Sequence, residues 1–223
     1  MQVKEYKTPE EALKEVKDPI IRSAIEPLSD KVAEMEKVVT KGKKKSNKVE
    51  DEKEDSVSKL NKALEISREL EFKTQRYINS ASESIVQLMY KNIFEETQLT
   101  GLEEYMLNSE ETKAVFTSTY EKLLAAIQPE DGSTLNSLNI TGFENYKIEY
   151  SHPNKALVSI DFTCTFKARG PRDAASGARD KYEGEARSTI TMEYTYDGND
   201  WMCSTLNMDC IDYSKKEEVE ETE

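Results

Sequence analysis

The sequence predicts an α+β protein in which N-terminal helices, including one long helix, pack on a strongly curved antiparallel sheet of about four strands, giving a cone-like domain. Between Ser56 and Thr97 there is no proline or glycine, and apolar or small residues recur at steps of three and four, which is helical periodicity. After Gly142 apolar residues alternate with polar ones, the period of half-buried strands. A sheet with one apolar face requires helices to cover it.

The first 40 residues are predicted to form a helical extension. Thr8 can cap a helix that has Pro9 at its first position. Pro19 and Pro27 predict short or kinked helices, followed by a better helix around Val32. Residues 41–55 are predicted to be a charged flexible linker, because a lysine-rich run is followed there by an acidic block that largely cancels its field within about 10 Å.

The long helix opens a domain predicted over residues 56–213. Its periodic stripe is narrow and partly polar at first and broadens from Tyr77 onward, which places the second half on the core and leaves the first half free to project. The stripe comprises Leu60, Ala63, Ser67, Leu70, Thr74, Tyr77, Ala81, Ser84 and Leu88. Asn108 or Ser109, followed by two glutamates, predicts a further helix that reaches about Ile127.

The strands carry the clearest pattern in the sequence. A strand around Tyr146 to Tyr150 is followed by a turn at His152-Pro153-Asn154. The next strand places Ala156, Val158, Ile160, Phe162, Cys164 and Phe166 inward. The third places Tyr182, Ala186, Ile190, Met192, Tyr194 and Tyr196 inward. The last runs from Trp201 to about Ile211, with imperfect alternation that indicates a bulge, and residues 214–223 are predicted to be a disordered acidic tail.

A tight hairpin, Asp197-Gly198 with Trp201 three residues on, precedes the last strand. With the order of elements, this Asp-Gly-x-x-Trp motif resembles the nuclear transport factor 2-like superfamily, including small bacterial envelope domains. The long helix ahead of the sheet is similar to the cone-fold assembly subunits of type IV secretion and conjugation machines. The resemblance implies a cone whose interior, in the enzymes of the superfamily, holds an Asp, Tyr or His.

Charge and hydropathy exclude several classes of function. The net charge of −13 argues against a nucleic-acid partner, since phosphate binding needs a basic face. No apolar stretch is long enough to span a bilayer, and the N-terminus lacks the apolar core of a signal peptide. The sequence leaves two localisations open: extracytoplasmic if a signal or anchor has been removed, and otherwise cytoplasmic.

Cys164, Cys203 and Cys210 are too few for a disulfide framework and too scattered for a zinc site. We expect buried thiols or at most one disulfide, with its pairing open, and neither a metal nor a cofactor. His152 precedes a proline in a predicted turn, which argues against a catalytic role. Asp161 falls on the outward face by alternation, and no phosphate-binding, hydrolase or metalloprotease motif occurs.

Three hypotheses follow for function. The first is a non-catalytic protein-interaction or scaffolding domain of a bacterial cell-envelope or secretion assembly, with the long helix and the outer sheet face as partner surfaces. The second is a small-molecule-binding, even enzymatic, cone with a pocket lined by Tyr146, Phe162, Tyr194 and Trp201. The third is a coiled-coil scaffold that forms homo-oligomers through the long helix; it ranks last because Ser67, Thr74 and Ser84 pack poorly in a two-stranded seam.

Overall fold

The computed structural model describes Glu11, Leu13, Lys14 and residues 16–41, 47–152 and 154–213. Over these residues the chain forms three helices and four strands, which confirms the predicted α+β class with a four-stranded antiparallel sheet. The elements are α1 (Pro19–Lys41), α2 (Asn47–Glu95), α3 (Glu110–Ile127), β1 (Thr134–His152), β2 (Lys155–Arg172), β3 (Arg179–Tyr196) and β4 (Trp201–Asn207). The sheet order is β1-β2-β3-β4, so β1 and β4 stand at its edges.

The described residues divide into two compact units, and the division falls within α2 rather than at the predicted boundary before Ser56. Unit 1 takes the described residues up to Tyr77 together with Tyr150–Asn154, and unit 2 takes the remainder. The predicted linker also differs from the structure, because α2 begins at Asn47 and residues 47–55 therefore have a helical backbone. The predicted helix start at Thr8, residues 42–46 and the tail 214–223 lie outside the described residues.

Unit 1 is built on the packing of α1 against the first half of α2. Its core contains Val16, Ile25, Val32, Leu60 and Leu64. The carboxylate of Asp18 accepts a hydrogen bond from the backbone N–H of Ile21 at 3.3 Å, which is an N-cap, and Pro19 occupies the first helical position. Of the two outcomes expected at the prolines, short or kinked helices, a break at Pro27 is not found, since α1 is 23 residues long and contains Pro27.

The second half of α2 supplies the helical core of unit 2, as the broadening stripe predicts, through Ile78, Ile85, Met89 and Ile93. The helix ends at Glu95 because Glu96 adopts a left-handed φ of 56°. The predicted cap of α3 is confirmed: the side chain of Ser109 accepts a hydrogen bond from the backbone N–H of Thr112 at 3.1 Å.

The inward face of β2 is placed as predicted. On β3 Ile190, Met192 and Tyr194 are buried, whereas Tyr182, Ala186 and Tyr196 are only partly buried. All six inward residues of β2 are buried, and β2 pairs with β3 from Lys155 opposite Thr195 to Arg169 opposite Lys181. The predicted irregularity of the last strand is confirmed as a register shift where β3 passes from Glu193 to Tyr194. The last strand is shorter than expected, ending at Asn207.

The two edge strands differ from the prediction. Residues 105–107 pair with β4: the N–H of Leu107 donates to the carbonyl of Cys203 and the N–H of Cys203 donates to the carbonyl of Tyr105, both at 2.8 Å. Strand β1 begins at Thr134, well before the predicted start after Gly142. The first half of β1 is rich in Asn and Ser, residues with low strand propensity, so the sequence pattern did not predict a strand there.

Candidate functional site

Large apolar side chains are exposed on α2 in unit 1. Phe72 is 66% exposed, Ile66 is 50% exposed and Leu70 is 47% exposed, and Tyr77 is also exposed. Ile66, Leu70 and Tyr77 are four and seven positions apart and therefore share one face of the helix, whereas Phe72 lies on another face. We call Ile66, Leu70 and Tyr77 the α2 stripe. The same helix buries Leu60 and Leu64 on another face, in the core with α1, so the stripe is surplus to that packing.

Two unpaired lysines accompany the α2 stripe. Lys62 lies four residues before Ile66, and Lys73 lies three residues after Leu70, so both are on the same face. Both side chains are exposed, and neither forms an ion pair with any described residue. Glu69, three residues after Ile66, is also exposed on this face, so the stripe presents apolar surface flanked by two lysines and one glutamate.

The periodic pattern identified Leu70 and Tyr77, two of the three residues of the α2 stripe, but placed them on the buried face of the helix. The predicted periodic stripe combined Leu70 and Tyr77 with Leu60 as one face, whereas the structure buries Leu60 and exposes the other two. An α-helix drifts by about 20° per seven residues relative to a strict alternation of three and four, which over 17 residues carries a stripe away from the core. The spacing of Ile66, Leu70 and Tyr77 is the sequence feature that could have identified this exposed face.

The outer face of the sheet in unit 2 holds a hydrogen-bonded ionic cluster around Asp161. Its carboxylate accepts hydrogen bonds from Thr189 Oγ1 at 2.6 Å, Asn145 Nδ2 at 2.9 Å and Arg187 Nη2 at 2.8 Å. Arg187 also contacts Glu144 at 3.1 Å. The donors, that of Thr189 first, hold the pKa of Asp161 well below its usual range. Asp161 is thus outward, as predicted, and fixed as an anion that carries no proton at neutral pH.

The four residues of the predicted aromatic pocket are engaged by different neighbours. Tyr194 is buried and its phenolic oxygen lies 2.9 Å from Ser82 Oγ. The ring of Phe162 packs at 5.8 Å from that of Tyr90, and the ring of Trp201 packs at 5.6 Å from that of Tyr196. The hydroxyl of Tyr146 donates a hydrogen bond to Glu83. These contacts are those of a packed interior, and a ligand pocket at these four positions stays a prediction.

Two surface clefts in unit 2 involve other residues. The first has a volume of about 280 Å³ and lies between the loop after α2 and α3. The second, of about 260 Å³, lies between α2 and the start of β1 and is lined by Gln87, Tyr90, Lys91, Phe94, Leu138 and Ile140. None of the four predicted pocket residues lines either cleft. Sequence reasoning missed both, because each depends on a loop or strand start that carries no periodic signal.

The other candidate catalytic residues are scattered. His152 is exposed and its Nδ1 lies 2.8 Å from Asn154 Oδ1. Tyr150 lies in unit 1, where burial first, and then the negative charges of Asp18 and Glu71, raise its pKa. Among the described residues, no three His, Cys, Asp or Glu side chains are grouped so as to hold a metal ion.

The three cysteines are free thiols. Cys164 and Cys203 are buried in the sheet, and Cys210 is partly buried. Burial raises the pKa of Cys164 and of Cys210 to about 11, and raises that of Cys203 as well. The thiols are therefore protonated at neutral pH, and a disulfide among them stays a prediction.

None of the helices described has both the length and the apolarity needed to cross a membrane. No protein-family model matches the chain, and no curated protein matches its sequence. Among solved structures, the crystal structure of the intermembrane space region of the chloroplast protein ARC6 aligns with a TM-score of 0.38 and 9% identity, covering 60% of this chain and 95% of that one. A likeness of that degree carries no argument about function.

Proposed function

We propose that the chain is a non-catalytic protein-interaction module that binds a partner protein through the α2 stripe. The observation that supports this is the half-exposure of Ile66 and Leu70 on one face of a helix that is already packed against α1 on another. Burying the remaining exposed surface of these two side chains in a complex contributes roughly 1.5–3 kcal/mol in total. Such a contribution is typical of the apolar centre of a helix-in-groove interface.

The partner surface is an amphipathic helix with acidic flanks. From Ile66 to Tyr77 the stripe extends about 16 Å along the axis of α2, at 1.5 Å per residue, which matches about three turns of a second helix. The unpaired Lys62 and Lys73 select acidic residues beside that helix's apolar face.

The proposal that the module is non-catalytic rests on the surroundings of Asp161 and His152, the most obvious candidates for a catalytic acid and base. Asp161 is tied up by three hydrogen-bond donors, and His152 is exposed at the end of β1, hydrogen-bonded to Asn154. Neither lies in one of the two clefts. General acid–base chemistry needs a positioned group that can exchange a proton near neutral pH within a sheltered site.

We further propose that unit 2 is a cone of the nuclear transport factor 2-like kind and that the module serves in a bacterial cell-envelope or secretion assembly. The order of elements supports this: a long helix, a shorter helix and a meander of four antiparallel strands whose last hairpin carries Asp197, Gly198 and Trp201. An intact mass of the chain from its native host that reveals a removed signal or an added lipid would support the placement. An unmodified Met1 would contradict it.

The docking surface can be tested by site-specific photocrosslinking in the native host. A photoreactive phenylalanine derivative at position 70 should crosslink to a discrete partner protein. The matched control carries the same group at position 61, which is exposed on the same helix but about 180° away from Leu70. A partner captured from position 70 and absent from position 61 supports the proposal. Equal capture from both positions, or none from position 70, contradicts it.

A further inference from the structure

A cleft lies between the loop after α2 and helix α3. We call it the Tyr120 cleft, and its polar lining consists of Thr97, Gln98, Thr100, Glu103, Thr117, Tyr120 and Glu121. It lies wholly in unit 2, on different elements from the α2 stripe, and its interpretation does not depend on the proposed docking function.

The loop that forms one side of the Tyr120 cleft is held in place by a buried side chain. Asn92 donates from Nδ2 to the carbonyl of Thr100 at 2.9 Å and accepts at Oδ1 from Thr97 Oγ1 at 2.8 Å. Between these anchors the backbone takes left-handed φ values at Glu96 and Gln98, of 56° and 55°. Because the loop is fixed before any ligand arrives, little ordering entropy is lost on binding.

Tyr120 is the residue of the cleft that most directly indicates ligand binding. It is only 7% exposed, and its hydroxyl forms no hydrogen bond with any described residue. The hydroxyl is nevertheless absent from the fully enclosed polar atoms without partners, so part of its surface stays accessible, and Tyr120 lines the cleft. A phenol that is otherwise buried and has its polar end at a cleft offers a hydrogen bond to whatever enters.

The charge of the cleft is negative and uncompensated. Glu103 and Glu121 line it, and neither forms an ion pair within the described part of the chain. No lysine, arginine or histidine contributes to the lining. The two carboxylates repel anions and attract a cation, and the hydroxyl of Tyr120 can accept an N–H from it.

The volume of about 280 Å³ limits the size of the ligand. It lies at the lower end of the range of small-molecule sites, so it suits one polar head with a short stem better than a nucleotide or a larger cofactor. We propose that the Tyr120 cleft binds an organic cation, a guanidinium or primary ammonium group on a short alkyl chain. The cation pairs with Glu103 and Glu121 and donates to the Tyr120 hydroxyl.

The test is a titration of the full chain with agmatine, followed by two-dimensional amide NMR at low salt. We expect saturable shifts at Gln98, Thr117 and Tyr120. The Glu103→Gln/Glu121→Gln variant should bind at least tenfold more weakly, and Tyr120→Phe about fivefold more weakly, since it loses one hydrogen bond. The control, Glu104→Gln/Glu130→Gln, removes the same charge from exposed positions outside the lining and should bind like the parent.

Two results would overturn the assignment: no shifts at the cleft residues of the parent protein, or equal shifts in the variant that lacks both cleft carboxylates. A blocked Gly-Arg-Gly peptide and agmatine then distinguish the sources of the cation. Tighter binding of the peptide identifies a basic side chain of a partner protein, and tighter binding of agmatine identifies a free amine. Because none of these variants touches Ile66 or Leu70, failure here leaves the docking proposal standing, and the reverse also holds.

Discussion

The hydroxyl oxygen of Ser82 on α2 lies 2.9 Å from the phenolic oxygen of Tyr194 on β3, and both residues are completely buried. Ser82 donates its own proton to the carbonyl of Ile78 at 2.8 Å, so its oxygen accepts from the tyrosine. This hydrogen bond joins the helix to the middle of the sheet within unit 2. It also explains why a tyrosine is tolerated at a position where alternation demands an apolar side chain.

Removal of either partner of this hydrogen bond should destabilise the protein. Tyr194→Phe and Ser82→Ala each remove this hydrogen bond from a buried site, at a cost of roughly 1–3 kcal/mol in the free energy of unfolding. The double variant should lose less than the sum of the two, because both changes remove the same hydrogen bond. Urea unfolding of the four proteins measures the coupling, and strict additivity would show that the hydrogen bond does not form.

Asp161 should make the stability of unit 2 depend on pH in the acid range. Its folded pKa is lowered, by Thr189 first and then by Asn145 and Arg187, below the unfolded value of about 4. Its contribution is therefore complete above pH 4 and is lost as the pH falls towards the folded pKa. At pH 7 Asp161→Asn should be less stable than the parent, and the gap should narrow below pH 4.

Thermal unfolding between pH 2.5 and 7 measures this gap. Glu185→Gln, which removes one charge from an exposed position of the same strand as Arg187, controls for net charge. A gap between Asp161→Asn and the parent that stays constant over the whole range would show that the cluster on the outer face does not fix the charge of Asp161.

The backbone of Gly184 on β3 lies close to the ring of Phe166. A Cβ added there would lie 2.9 Å from Cζ and 3.1 Å from Cε1 of Phe166, which is itself buried. Gly184→Ala should therefore destabilise the protein by roughly 1–3 kcal/mol through overpacking. Gly170→Ala, where the nearest side-chain atoms are at an ordinary 3.8 Å, is the matched control on β2. Equal unfolding midpoints for the two variants would contradict the close approach.

The thiols should be almost inert in the native protein. At pH 8 a pKa of about 11 for Cys164 and Cys210 reduces the thiolate fraction roughly a hundredfold relative to an exposed cysteine, and Cys203 is fully buried. Ellman's reagent should label three thiols per chain in denaturant and none at a comparable rate without it. Rapid labelling of one thiol in the native protein would contradict the burial described here. One thiol rather than three in unreduced, denatured protein would instead reveal a disulfide.

Alternation and capping predicted the parts of the fold that depend on local chemistry. The inward residues of β2, from Ala156 to Phe166, and the cap at Ser109 are found where the period and the Ser-Glu-Glu sequence place them. Short or kinked helices were expected around Pro27, because a proline inside a helix removes one backbone hydrogen-bond donor and clashes with the preceding turn. The packing of Ile25 and Val32 on α2 outweighs that cost, so α1 is not interrupted at Pro27.

The candidate surfaces were harder to predict, since they depend on which face of a helix finds a partner. Leu70 and Leu64 have the same chemistry, yet only Leu64 meets α1. The Tyr120 cleft requires a loop shaped by Asn92, whose hydrogen bonds reach residues five and eight positions away. Neither relationship has a periodic signature.

The α2 stripe is proposed to bind a partner protein, and isothermal titration calorimetry of the crosslinked partner with three purified proteins tests this binding. We expect Ile66→Glu/Leu70→Glu to bind about 30-fold or more weakly than the parent, while it unfolds at the same urea concentration. Ser58→Glu/Asn61→Glu, with the same change in charge on exposed positions away from the stripe, should bind like the parent. Affinities within threefold for all three proteins would show that the stripe is not the binding surface.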